Sequence, residues 1–171
     1  MKKLITVTGL PRSGTAFVSM LMQLHPDCIA YHELAAYDRD WRNTIMDNRA
    51  DIVADCSTYG FMPDAIMPSD KMVYIMNDPW RSRKSAEIAC RKKVDIDTVM
   101  ALEVMANEWV DQNDVFVIRR DDVFTVGGCI ALWQYCMGNP IPIDKIEQLV
   151  KLNVQHKDAH LKFGPDVEFI L

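Results

Sequence analysis

The cysteines lack the spacing of a paired framework. There are five, Cys28, Cys56, Cys90, Cys129 and Cys136, and no C-x-x-C occurs. An odd count without that spacing argues against a disulfide scaffold and a structural zinc site, and points to buried free thiols in a reducing compartment. No apolar run approaches the roughly 20 residues of a membrane span. The lysine-led start, MKKLITVTGL, is broken by Pro11-Arg12 before it reaches signal-peptide length. Positive charge is not in excess: the net charge is -5, which speaks against a nucleic-acid partner. Repeats, low-complexity tracts and Gly/Ser linkers are missing as well, so the 171 residues read as one domain with a real core. The expectation is a soluble cytoplasmic protein with neither nucleic acid nor membrane as partner. The sequence leaves its oligomeric state open.

What is present is an alternation of short apolar runs with longer amphipathic ones. Leu4 to Thr8 is a β-branched run ending at Gly9, and reads as a buried strand. Ser13 or Thr15 caps a helix to about Leu24, where His25-Pro26-Asp27 stops it. Cys28–Tyr31, Asp51–Ala54, Met72–Met76 and Val115–Ile118 read as further strands. Helices are expected over 37–48, 81–93, from an Asp95 cap to Gln112, over 124–137 and over 144–154, with a loop at 60–70. That order implies an α/β fold, a three-layer sandwich with a mostly parallel central sheet. Ligands of such sheets sit beyond the carboxyl ends of the strands. The segments to inspect are therefore Gly9–Thr15, His32-Glu33, Asp55–Thr58, Asn77–Ser85 and Arg119–Asp122.

The first of these has the outline of a phosphate-binding loop, and the fold is expected to be P-loop NTPase-like. Gly9 and Gly14 keep the G-x-x-x-x-G spacing, but Thr15 stands at the lysine position and Ala16 at the magnesium-binding hydroxyl position. The backbone half of the device survives: a strand, a glycine-bounded turn and a helix N-terminus that favours an anion. The magnesium-dependent half does not. A guanidinium, Arg12, lies inside the loop instead.

Gly-Leu-Pro-Arg-Ser-Gly-Thr, Gly9 to Thr15, resembles the 5′-phosphosulfate loop of the sulfotransferases, which use 3′-phosphoadenosine 5′-phosphosulfate (PAPS) as donor. The likeness continues through RSGTAFVSMLMQLHPDCIAYHEL, Arg12 to Leu34, which is similar to tyrosylprotein and related bacterial sulfotransferases. It implies Arg12 as the loop arginine and Glu33 as the catalytic glutamate. VYIMNDPWRSRKS, Val73 to Ser85, resembles the element that holds the donor's 3′-phosphate, with Ser85 on the serine and Asn77 where the family has arginine. VFVIRRDDVF, Val115 to Phe124, resembles a late strand with an R-Y-E-D-like end. Lys162-Phe163-Gly164 is a faint echo of a late donor-binding loop, and Cys56 stands about where the tyrosylprotein enzymes have a lysine. The chain is short for the family, which implies that acceptor-binding insertions are missing.

The chemistry is consistent with these residue types. Sulfuryl transfer, like phosphoryl transfer, depends on positioning and on neutralising charge at the departing oxygen. Arg12 with the backbone N–H groups of Ser13, Gly14 and Thr15 suits that task, without a metal; Pro11 and Ala16 complete the expected donor-binding loop. Glu33 suits a general base; His32 is its neighbour, and strand alternation lets only one of the two face the cleft. Arg81, Arg83, Lys84, Arg91, Lys92 and Lys93 fall within thirteen residues. Arg81 and Ser85 share a helix face, so Arg81 or Arg83 is expected to replace the arginine missing at Asn77. The Arg91-Lys92-Lys93 cluster lies at the far helix end, where it serves the macrodipole. Charge runs are also ordinary solvated faces. Asp121 and Asp122 read as helix caps, His156 and His160 as a surface pair, and Trp80 either as a packing residue or, beside the phosphate site, as a contact for adenine or the acceptor. The resemblance implies a hydroxyl acceptor, which the sequence leaves open among carbohydrate, peptide, lipid and small molecule. Two rival readings stand: a kinase or hydrolase with a degenerate loop, and a non-catalytic nucleotide-binding protein.

Overall fold

The computed structural model describes residues 2–58 and 60–152. Five strands, β1 (Lys3–Gly9), β2 (Cys28–His32), β3 (Ile52–Thr58), β4 (Lys71–Met76) and β5 (Val115–Arg119), form a single sheet in the order β2-β3-β1-β4-β5. Every pairing is parallel. Helices cover both faces, which makes the three-layer α/β sandwich that the alternation implies.

On one face lie α1 (Thr15–Met22), α7 (Val126–Cys136) and α8 (Ile143–Lys151). Their core takes Ile5 and Val7 of the central strand, Ala54 and Cys56 of β3, and Val73 and Ile75 of β4. On the other face lie α2 (Leu34–Tyr37), α3 (Trp41–Asp47), α4 (Pro79–Cys90) and α5 (Ile96–Gln112) over two smaller clusters. The short α6 (Arg120–Val123) leads from β5 into α7. Because β1 sits between β3 and β4, the chain leaves β1 towards one side of the sheet and leaves β4 towards the other. Their carboxyl ends thus flank a crevice at the point where the strand order reverses.

Strand β3 runs to Thr58, four residues past the expected Ala54. An apolar-run criterion stops at Asp55, but the register continues: Thr6 pairs with Asp55 and Thr8 with Ser57. These polar side chains are buried, and Asp55 is satisfied by a 2.6 Å hydrogen bond from Ser57 Oγ. The long polar helix expected over 37–48 is instead two short helices, α2 and α3, separated by Asp38–Asp40. Helix α4 stops at Cys90 rather than Lys93, since Arg91 adopts a left-handed conformation (φ 53°). The Arg91-Lys92-Lys93 cluster therefore lies beyond the last turn. The four cysteines whose side chains are described, Cys28, Cys56, Cys129 and Cys136, are buried free thiols. Among the described residues no helix is long and apolar enough to cross a membrane, and no group of three metal-ligating side chains is found.

Candidate functional site

The Gly9–Thr15 loop is shaped by backbone requirements that its residues meet. A Cβ on Gly9 would lie 2.6 Å from the Ile75 carbonyl oxygen and 2.5 Å from Ser13 Oγ, so the turn closes only without one. Gly14 has φ 111° and stands at the N-cap of α1, where a side chain would also be 3.1 Å from the Phe124 ring. The expected cap by Ser13 or Thr15 does not form. Ser13 is fully buried, Thr15 Oγ1 turns instead to His32 Nε2 at 3.3 Å, and no side chain caps α1. The first-turn N–H groups of α1 are left without intrahelical acceptors. Arg12 itself has φ 67°, a conformation uncommon for a residue with a side chain.

From that turn the exposed Arg12 side chain reaches α4. Its Nε donates to Ser85 Oγ at 3.1 Å, joining residues 73 positions apart. Helix α4 is fixed here by local chemistry: Pro79 opens it, and Asp78 caps it by accepting from the Arg81 N–H at 2.8 Å. Asn77 is buried, and its Nδ2 donates to Ser82 Oγ at 2.6 Å. That amide braces the strand-to-helix turn. Arg81 points to the end of β5, where its Nη1 lies 2.7 Å from Asp121 Oδ1. Arg83 points elsewhere, bonding Glu87 and the Val94 carbonyl oxygen at the far end of α4, so Arg81 is the one beside the loop. Trp80 is exposed, with the Arg83 guanidinium 5.9 Å from its ring centroid.

Arg120 is marked in the sequence only by its place in the strand-end segment Arg119–Asp122. Its Nε donates to the Arg12 carbonyl oxygen at 3.1 Å, its guanidinium lies 4.9 Å from the Phe124 ring centroid, and its Nη1 is 3.3 Å from Asp121 Oδ1. Asp121 and Asp122 do not cap the helix that follows. Asp121 pairs with the two arginines, and Thr125 caps α7 by accepting from the Gly128 N–H. Arg12, Arg81 and Arg120 thus surround Ser85 and Asp121. Burial, then the neighbouring Arg81 charge, lower the pKa of Arg120, opposed by Asp121 and reinforced by Arg12.

The other side of the loop carries the carboxylates. His32 ends β2 on the α1 side, as its bond to Thr15 shows. Glu33 leaves the strand with φ 55°, so strict strand alternation ends there and both residues reach the same place. His32 Nε2 and Glu33 Oε1 are 3.7 Å apart. Thr58, at the end of β3, holds that same oxygen twice, from its backbone N–H at 2.8 Å and from its hydroxyl. No group among the described residues donates to Oε2. The pKa of His32 is lowered from 6.5, first by burial and also by the Arg12 charge, against the opposing pull of Glu33. The imidazole is therefore neutral near pH 7. Asp55 is pushed up from 3.8 to about 6, mainly by burial; the Ser57 hydrogen bond opposes the shift and the Glu33 charge adds to it. Among the expected site residues, then, Arg12 and Ser85 are in contact, Arg81 joins them through Asp121 and Arg120, and Glu33 lies beside Thr15 through His32. His156, His160 and Lys162-Phe163-Gly164 lie outside the described residues.

Thr58, Asp55 and Arg120 were visible in the sequence only as members of strand-end segments. A comparison of the chain with models of known protein families finds no match, and a comparison with curated proteins finds no significant one.

Proposed function

We propose that this protein is a small sulfotransferase that takes PAPS as donor and passes its sulfuryl group to an acceptor hydroxyl. The observation that carries the reading is the 3.1 Å contact between Arg12 and Ser85. The resemblance assigns these two residues, far apart in sequence, to the 5′-phosphosulfate and the 3′-phosphate, two groups carried on the one ribose of the donor. In this reading the loop N–H groups and Arg12 hold the 5′-phosphosulfate, and Ser85 with Arg81 and Arg120 holds the 3′-phosphate in place of the arginine absent at Asn77. The acceptor oxygen forms a bond to sulfur as the sulfur–oxygen bond to the 5′-phosphate breaks. Glu33 takes the acceptor's proton through Oε2, the oxygen that Thr58 leaves open. Negative charge growing on the departing phosphate meets Arg12 and the α1 N-terminus. The fold is read as the P-loop NTPase-like form of the α/β sandwich, and the acceptor as a small molecule, glycan or peptide.

A second reading, a nucleotide-binding protein without turnover, draws support from Asn77, buried in a structural hydrogen bond rather than offering a cation. A magnesium-dependent kinase is disfavoured: Ala16 offers no hydroxyl, and the Thr15 hydroxyl is engaged by His32. The test is calorimetric titration of the wild type, Arg12→Ala and Arg81→Ala with PAP (the desulfated donor), magnesium–ATP and sulfate. PAP is expected to bind best. Arg12→Ala should weaken it about tenfold or more, and Arg81→Ala by less, as for charged hydrogen bonds at a partly exposed site. Unchanged PAP affinity in both variants overturns the assignment, and binding without turnover on any acceptor selects the second reading.

A further inference from the structure

We infer that Asp121 is a resident counter-anion of the arginine cluster, held by Arg81 and Arg120 where a ligand's phosphate binds and displaced when that phosphate arrives. This rests on the reading that the 3′-phosphate lies beside Arg81 and Ser85.

The three side chains are not held alike. Arg120 is anchored: its Nε is committed to the Arg12 carbonyl oxygen, its face lies over Phe124, and it is 21% exposed. Arg81 is half exposed and Asp121 is 72% exposed. Both described hydrogen bonds of the Asp121 carboxylate go to Oδ1, from Arg81 and from Arg120. Exposed ion pairs of this kind are weak and strongly hydrated. A phosphate dianion brings twice the charge and three acceptor oxygens, and guanidiniums bind it in paired fashion. It would outcompete one mobile carboxylate while leaving Arg120 where its backbone contact puts it. Ser85, on the same helix face as Arg81 and already bonded to Arg12, lies next to the exchange.

The arrangement has a consequence for turnover. With Asp121 in place the unliganded cluster is partly neutralised, so like charges are not forced together. Asp121 returns as the product leaves, which lowers the affinity for PAP and eases its release. Ligands without a 3′-phosphate have no reason to displace it. Asp121 therefore sets how strongly the 3′-phosphate counts in binding.

The test is calorimetry on the wild type, Asp121→Asn and Asp121→Glu with PAP and with AMP, at low and moderate salt. Asp121→Asn, an isosteric change at an exposed position, should bind PAP roughly three- to thirtyfold more tightly, the range expected for releasing two exposed pairs. AMP affinity should stay within about twofold, because no 3′-phosphate competes for the guanidiniums. PAP binding by Asp121→Asn should also weaken more steeply with salt than that of the wild type, and Asp121→Glu should resemble the wild type. Unchanged or weaker PAP binding in Asp121→Asn, with the wild type still binding PAP, overturns the counter-anion role and leaves the sulfotransferase reading standing. An equal gain for PAP and AMP also overturns it, as a general charge effect. If neither protein binds PAP, the functional reading and this inference fall together.

Discussion

On the α4 side of the Gly9–Thr15 turn, three guanidiniums gather in partly exposed positions around a serine and one aspartate. On the β2 side, two carboxylates and a neutral imidazole are drawn in among strand ends, with Glu33 24% exposed at its side chain and Asp55 6% exposed overall. The cationic side depends on long side chains converging from α4, α6 and the turn; Arg12, Arg81 and Asp121 are well hydrated there, while Arg120 is anchored over Phe124. The acidic side depends on backbone: a left-handed Glu33, the end of β3 and a two-pronged hold by Thr58. Charge at a wet rim is cheap to rearrange, whereas charge in a drier one shifts pKa values and must be fixed in place. This division suits binding on the first side and proton transfer on the second.

The sharpest way to separate the two sides is Glu33→Gln. If the acidic side does the proton chemistry, kcat should fall about 10²- to 10⁴-fold, the usual range for losing a general base, while calorimetric PAP affinity is unchanged. A parallel loss of PAP binding would merge the two sides into one. Next in size is a stability effect confined to the acidic side. In the folded protein Asp55 holds its proton up to about pH 6, against 3.8 ordinarily. Stability is therefore lost as pH rises through that window, and the cost is complete above it, about 3 kcal/mol from the shift. Asp55→Asn should raise stability at pH 7.5 by up to that amount, with the gain fading as pH falls towards 3.8 and below. Urea unfolding at both ends measures it, and a gain independent of pH would refute the cause given.

His32 acts with the opposite sign. Its pKa is lowered in the folded protein, so its contribution to stability is present above about 6.5, the ordinary histidine value, and is lost as pH falls below it. The Asp55 comparison is therefore cleanest in a His32→Asn background. The smallest expected effect is at Thr58. Thr58→Val keeps the backbone donor and removes the hydroxyl from Glu33 Oε1; kcat should drop about tenfold, as for a hydrogen bond to a charged group, with KM little changed. Thr58→Ser should restore it. A shift in KM alone would assign Thr58 to acceptor binding rather than to aiming the base.

Much of the fold could be read from local pattern. The β1 run, the Asp95 cap and the α5 helix to Gln112 stand where periodicity and capping chemistry put them. The misses share a physical origin. Strand β3 outruns its apolar pattern because the polar Asp55, Ser57 and Thr58 are tolerated inside the sheet through partners such as Glu33, 25 residues away from Thr58. The α1 side-chain cap does not form because the Thr15 hydroxyl turns to His32, and the Asp121 cap does not because two arginines hold its carboxylate. In each case a tertiary contact outbid a local one for the same polar atom.

By itself the sequence determined the parts whose physics is local: the strand–glycine–helix turn at Gly9–Gly14, the missing lysine and magnesium hydroxyl, and the alternation that forces a parallel sheet. Which charges meet at that turn was decided only in three dimensions. Arg12 lies 73 residues from Ser85 and 108 from Arg120; no spacing rule reaches that far, because closing such loops depends on the packing of the whole sheet and not on the preferences of any short segment.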